Sequence, residues 1–193
     1  MRVFDALYRT LVQDYNLTSL RDMTSLESLA MFLWIVGGPN SFGDAEVRFC
    51  RSTQTVHTKF YQVLRCVYSM SDDLIRPMDP TFSQVHPKLL ERRFAPHFNG
   101  CIGAIDGTHV KTIVPTEKAI MYRNRHGYTS QNVMAFCDMD MRFTFVVAGW
   151  PESVHDTRVL HGAKEKFTSR FPTPPAGKKV VLSSSLTLFL YRT

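Results

Sequence analysis

The sequence predicts a mixed α/β protein in which a helical N-terminal module precedes an incomplete mixed sheet. Three observations carry this expectation. Apolar residues recur at helical spacing through the first third of the chain, and from Cys101 they regroup into short β-prone runs. Between the two, Pro77, Pro80, Pro87 and Pro96 interrupt any regular element.

Taken in order, Thr24-Ser-Leu-Glu27 reads as a capping box, with the Thr24 hydroxyl accepting from the Glu27 amide and the Glu27 side chain reaching back. The helix it opens carries Leu26, Leu29, Ala30, Leu33 and Trp34 on one face and stops at Gly37-Gly38-Pro39. A short segment, Asp44 to Phe49, follows. Ser52 then caps a longer helix marked by Val56, Phe60, Val63, Leu64 and Val67. Its other face is expected to offer His57, Lys59 and Arg65, with Arg48 and Arg51 just upstream. Two readings fit: a short helix, a turn and a second helix with basic flanks suit a helix-turn-helix-like module, and a plain bundle with solvated charges is the alternative. On the first reading Arg51 and Lys59 are candidate DNA contacts.

Residues 75–96 read as an extended connection with one helical turn around Lys88 to Arg93, so the expected domains are 1–96 and 97–193. Strands are expected at Cys101–Ile105, Asn132–Asp138 and Phe143–Ala148, the last two joined by the polar turn Asp138-Met-Asp-Met-Arg142. Ser153 or Asp156 can cap a helix running to about Thr168, and Val180–Leu182 offers another strand.

Bulk properties narrow the function classes. The 193 residues are 44% apolar, as expected of a globular chain rather than a disordered one. The net charge is +6, and it is uneven: residues 1–100 carry 11 Lys+Arg against 10 Asp+Glu, residues 101–193 carry 12 against 7. The surplus in the second half favours a polyanionic partner. Cys50, Cys66, Cys101 and Cys137 are far apart, which argues against a zinc knuckle or a C-x-x-C redox motif. No signal-peptide layout opens the chain, and the longest apolar run, Leu29 to Val36, is too short to span a bilayer, so no membrane partner is expected.

The most informative residue is Asp106, in Cys101-Ile-Gly-Ala-Ile-Asp-Gly-Thr-His109. A carboxylate at the exit of an apolar strand can hold a divalent cation, and an Asp-Gly pair can equally be a simple turn. Downstream stand Tyr122-Arg-Asn-Arg-His-Gly-Tyr-Thr-Ser-Gln-Asn-Val133, Cys137-Asp138, and Ala148-Gly-Trp-Pro-Glu-Ser-Val-His-Asp-Thr-Arg-Val-Leu160. With Gly103 to His109, these blocks resemble the Harbinger-type transposases and the Harbinger transposase-derived nucleases, of the DDE superfamily. The stretch from about Ser25 to Phe98 is similar to the helical region that precedes their nuclease domain.

The resemblance implies an RNase H-like domain, of which the expected β, β, β, α, β order is the opening half. It implies DNA as partner, cleavage dependent on a divalent metal (Mg or Mn), a separate DNA-binding partner protein of the Harbinger system, and the nucleus, with the cytoplasm as a second location. Two ions clamped between carboxylates activate the attacking oxygen and stabilise the leaving one. Asp106 matches the first carboxylate position, and Asp156 matches a position associated with the metal site, with an N-cap role as its alternative. Lys111, Arg123 and Arg125 are candidate phosphate contacts or solvated loop charges. We expect Asp106 and Asp156 to share one metal shell, with the three cations on the same face as Asp106.

The sequence departs from the family pattern further on. Where the family carries a motif resembling Val-Asp-Ser-Gly-Tyr, this chain has Gly177-Lys-Lys-Val-Val-Leu-Ser-Ser-Ser185. A hydroxyl cannot neutralise Mg²⁺ as a carboxylate does. The expectation is therefore a C-terminally truncated nuclease that does not cleave, the alternative being a non-catalytic DNA-binding or protein-interaction remnant.

Overall fold

A computed structural model describes residues 2–124, 126–151, 153–184 and 187–191, with backbone alone from residue 182 onward. The chain forms two compact units, Met1–Leu74 and Ile75–Thr193. Residues 75–96, read from their prolines as a connection belonging with the helices, fall in the second unit. Their tie to it is specific: Lys88 Nζ donates to Met139 O at 2.8 Å, and Leu89 packs with Cys101 and Val181.

The first unit is helical, built from α1 (Arg2–Gln13), α2 (Ser25–Val36), α3 (Phe42–Phe49) and α4 (Thr53–Leu74). Leu11, Leu17, Leu29, Phe32 and Val63 form one buried cluster, and Met23, Met31, Ile35, Ala45 and Val56 form another, with Phe60 packed against both. Each such side chain withdrawn from water contributes on the order of 1.5–3 kcal/mol. The α1 helix was not anticipated, because no capping residue or closing Gly/Pro punctuates its start.

The capping expectation at α2 is half right. Thr24 Oγ1 accepts from Glu27 N at 3.2 Å, but the Glu27 carboxylate turns away to accept from Nε and Nη2 of Arg51, each at 3.1 Å. The reciprocal box forms instead at α3, between Ser41 and Asp44.

The second unit is a mixed sheet with one long covering helix. Its strands are β1 (Cys101–Lys111), β2 (Ser130–Cys137), β3 (Phe143–Pro151), β4 (Lys179–Ser184) and β5 (Thr187–Tyr191), in the order β3-β2-β1-β4-β5. The central strand β1 runs antiparallel to β2 and parallel to β4, and β4 and β5 are antiparallel. A one-turn helix, α5 (Ala119–Tyr122), lies in the β1–β2 connection, and α6 (Asp156–Lys166) crosses back after β3.

The core lies on the face that α6 covers. Ile105, Met134, Phe136, Phe145 and Val147 of the sheet meet Val159, Leu160 and Ala163 of α6, closed off by Phe171 and Val180. Phe136, Phe145 and Phe171 form an edge-to-face triangle with centroids 5.2–5.8 Å apart, an arrangement worth about 0.5–1.5 kcal/mol per pair beyond burial. On the opposite face, Leu89, Phe98 and Met139 cover Cys101 and Val181 at one end. Towards the β3 edge of this face Phe143 is 56% exposed and Val146 37% exposed. Among the described residues, no helix is long and apolar enough to cross a membrane.

Candidate functional site

The sequence Ile105-Asp-Gly-Thr-His109 does not turn at its glycine. Strand β1 continues through Gly107 to Lys111, paired residue by residue with β2 from Ala104↔Cys137 to Lys111↔Ser130. In an uninterrupted strand, alternate side chains go to opposite faces. Ile105 belongs to the core under α6, so Asp106 goes to the other side. There it lines a shallow groove with Ala104, Thr108, Val133, Ala135 and Phe143. Its Oδ1 accepts from the Gly107 amide at 2.9 Å.

Gly107 returns to the α6 side, and its role becomes clear there. A Cβ at this position would lie 2.6 Å from Oδ1 and 2.9 Å from Cγ of Asp156. Only a residue without a side chain lets this carboxylate rest on the strand. Asp156 is the first residue of α6, where the unpaired amides and the helix dipole favour an anion by about 0.3–1 kcal/mol. Asn132 Nδ2 donates to Asp156 Oδ1 at 2.8 Å from β2, opposite His109 in the register. Asn132 is 1% exposed and, among the described residues, its Oδ1 has no hydrogen-bond partner.

The expected pairing of Asp106 with Asp156 therefore does not form: the two carboxylates are on opposite faces of β1. The cause is the period-two alternation, which separates position 106 from position 107 by the thickness of the sheet. Asp156 is not the helix cap either, since His155 occupies that position without a side-chain cap bond. Among the described residues, no group of three or more His, Cys, Asp and Glu side chains is arranged to hold a metal ion.

The predicted basic contacts divide sharply. Lys59 was expected on the outer face of its helix and is 0% exposed. Its Nζ donates to Thr18 O at 3.0 Å and to Gln62 Oε1 at 2.9 Å, and burial pushes its pKa below the ordinary lysine value. Its position at i+3 from Val56 and i−4 from Val63 puts it on their stripe, a signal present in the sequence. Arg51 is held by the bidentate pair with Glu27, which raises its pKa further. Lys59 is enclosed away from DNA, and Arg51 could reach it only by giving up its pair with Glu27.

In the sheet unit, Lys111 and Arg123 are exposed, and Arg125 lies outside the described residues. Lys111 alternates with His109 and Gly107, hence to the side away from Asp106, contrary to expectation. Its ammonium sits 4.7 Å over the ring of Tyr128. Asp138 and Asp140 are turn residues as read: Asp138 Oδ1 accepts from the amides of Asp140 and Arg142 at 2.9 and 3.0 Å. Asp140 also takes Lys88 and His86, and these bonds hold its pKa below the usual carboxylate range. Desolvation raises the pKa of the Cys137 thiol, beside the same groove as Asp106.

Sequence reasoning missed Asn124 and Asn132, two buried amides that organise this region. Nothing in composition separates them from ordinary loop or edge residues.

Residues 105–181 match the DDE superfamily endonuclease family, and residues 1–69 match a domain of unknown function (DUF8040). The chain is 35% identical over 74 residues to "Putative nuclease HARBI1" of Rattus norvegicus, covering 38% of this chain and 21% of that protein. It is 39% identical over 64 residues to "Protein ALP1-like" of Arabidopsis thaliana, covering 31% of this chain and 15% of that protein. These matches bear out the Harbinger-derived resemblance of the motifs, and they span about a fifth or less of either relative. No solved structure matches.

Proposed function

We propose that the sheet unit is the opening part of an RNase H-like, DNA-handling nuclease domain, and that the 193-residue chain binds DNA without cleaving it. The observation that carries this reading is the central strand. β1 lies between an antiparallel β2 and a parallel β4, with Asp106 at its midpoint, where the exposed half of the strand begins. Ile105 is level with Leu182, so Ser183 follows where a second acid would stand beside Asp106.

A two-metal centre needs several anions around two cations that repel one another. The described donor set offers one carboxylate to the groove, Asp106, while Asp156 faces the other way against Gly107. These residues do not fit a pair of Mg²⁺ or Mn²⁺ ions. Asp156 instead holds the start of α6 to β1 and β2 through Gly107 and Asn132.

DNA contact is assigned to the sheet unit. Residues 75–193 carry 16 Lys+Arg and 9 Asp+Glu, a net of +7, whereas residues 1–74 carry 7 and 8, a net of −1. A helix-turn-helix role for 42–74 has no comparable charge behind it, and its two candidate cations are already engaged. In this reading, target choice falls to a separate DNA-binding protein, and the chain resides in the nucleus, which imaging of a tagged chain tests.

The test is plasmid nicking by the purified chain in Mg²⁺ or Mn²⁺, alongside duplex binding across a salt series. The expected result is no metal-dependent nicking, and binding whose log affinity falls with log salt by about 0.9 per phosphate contact. Nicking that vanishes in Asp106→Ala would overturn the non-cleaving reading. Salt-insensitive binding, or affinity unchanged in Lys111→Ala/Arg123→Ala, would remove the assignment of DNA contact to this surface.

A further inference from the structure

We infer that His126 and Tyr128 form a preorganised stacking platform for an unpaired nucleobase, so that the sheet unit engages single-stranded or unpaired DNA in preference to closed duplex. This rests on the DNA-binding reading above and names the form of DNA that the surface takes.

The two rings are nearly parallel, with an interplanar angle of 14° and centroids 6.2 Å apart. Both side chains are exposed, although tyrosine and histidine on a surface have no reason to align their rings unless the backbone holds them. Here it does. Asn124 is 7% exposed, and its Oδ1 accepts from the amides of both His126 and Tyr128, at 2.9 and 3.3 Å. Its own amide donates to Tyr128 O at 2.9 Å, and Gly127 N returns to Asn124 O at 3.0 Å. Gly127 at φ +86° supplies the left-handed step that closes this turn. The turn is anchored in the sheet: Asn124 Nδ2 reaches Ser130 Oγ at 3.4 Å, and Thr112 N donates to Thr129 O at 3.0 Å.

Rings held this way lose little conformational freedom on binding, which is the advantage of preorganisation. A base has a π-face whatever its identity, so such a platform recognises unpaired nucleotides without reading sequence, and it cannot reach bases stacked within a duplex. The surrounding charge suits a phosphodiester strand. Lys111 stands 4.7 Å over the Tyr128 ring, and the exposed Arg123 bridges backbone to Thr129. Between residues 111 and 129 there are four Lys or Arg and a single acid, Glu117.

The test compares binding of the purified chain to a fluorescent single strand carrying 2-aminopurine and to its closed duplex, both at fixed salt. The wild type should bind the single strand more tightly and quench the 2-aminopurine. Tyr128→Ala should weaken single-strand binding by about tenfold and abolish the quenching, with duplex binding unchanged. Tyr128→Phe, which keeps the ring, should match the wild type, and His126→Ala should act in the direction of Tyr128→Ala. Lys111→Ala should weaken both substrates alike. Duplex binding equal to or tighter than single-strand binding would overturn this inference alone and leave the DNA-binding reading intact. Equal losses on both substrates for Tyr128→Ala would do the same. Absence of binding to either would end both. Should Tyr128→Ala fail to fold, Tyr128→Phe and His126→Ala still decide, because loss of quenching in the latter alone is expected.

Discussion

The two units handle the same residue types in opposite ways. In the helical unit a lysine is enclosed in the core at Lys59 and an arginine is clamped by an acid at Arg51, and the unit's net charge is −1. In the sheet unit Lys111 and Arg123 are exposed, Lys111 over the ring of Tyr128, and the net charge is +7. The difference teaches that a cation's chemistry is set by what its element packs against. A basic residue on a helix covered on two sides becomes part of that helix's own stability. One on a strand end with a single covered face remains available to a polyanion.

The largest effect should come from exchanging the two lysines for alanine. Lys59→Ala removes a fully buried stem and leaves Thr18 O without its ammonium, and should cost about 2–5 kcal/mol, as for other long core side chains. Lys111→Ala should stay within about 0.5 kcal/mol. Urea unfolding followed by the fluorescence of Trp34 and Trp150 measures both. Similar costs for the two would break the comparison.

Lys59 also predicts a pH dependence. Its folded pKa lies below the ordinary lysine value, so between the two the unfolded chain binds more protons, and stability rises with pH across that window. Lys59→Met, which keeps the length and removes the charge, should flatten this alkaline rise. An unchanged pH profile in that variant would show that the ammonium is not desolvated.

Next in size is Gly107→Ala. The added methyl would meet the Asp156 carboxylate at 2.6–3.0 Å, and overpacking of this kind costs about 1–3 kcal/mol. Combining it with Asp156→Ala should give less than the sum of the single effects, because the second change removes the obstacle. Strict additivity in a thermal-melt cycle would mean that strand and carboxylate do not touch.

A smaller effect than at Gly107 is expected at Glu27→Gln, which breaks a partly exposed ion pair worth about 0.2–1 kcal/mol. The same change releases Arg51 to solvent. Duplex binding should nevertheless stay as it was, since the sheet unit carries the positive field. A clear gain in affinity would bring the helical unit back into the DNA interface.

What the sequence by itself determined is the order of elements and the motif blocks. Helical spacing located α2 and α4, turn chemistry located the Asp138–Arg142 hairpin, and Gly103 to His109 with Ala148 to Leu160 pointed to the stretch that matches the DDE superfamily endonuclease family. These are short-range signals, carried by residues a few positions apart. What only the tertiary structure decided is which side each residue faces and what lies there. The glycine of Asp106-Gly107 looked like a turn, and its real neighbour, Asp156, is 49 positions away. For Lys59 the spacing already put it on the Val56–Val63 stripe, and only the packing decided that a charged side chain would be enclosed there. Asp106 and Asp156 looked like partners because both match metal-site positions, and one step of strand alternation separates them. Face, burial and long-range contact depend on which layer packs against an element, and local spacing does not contain that information.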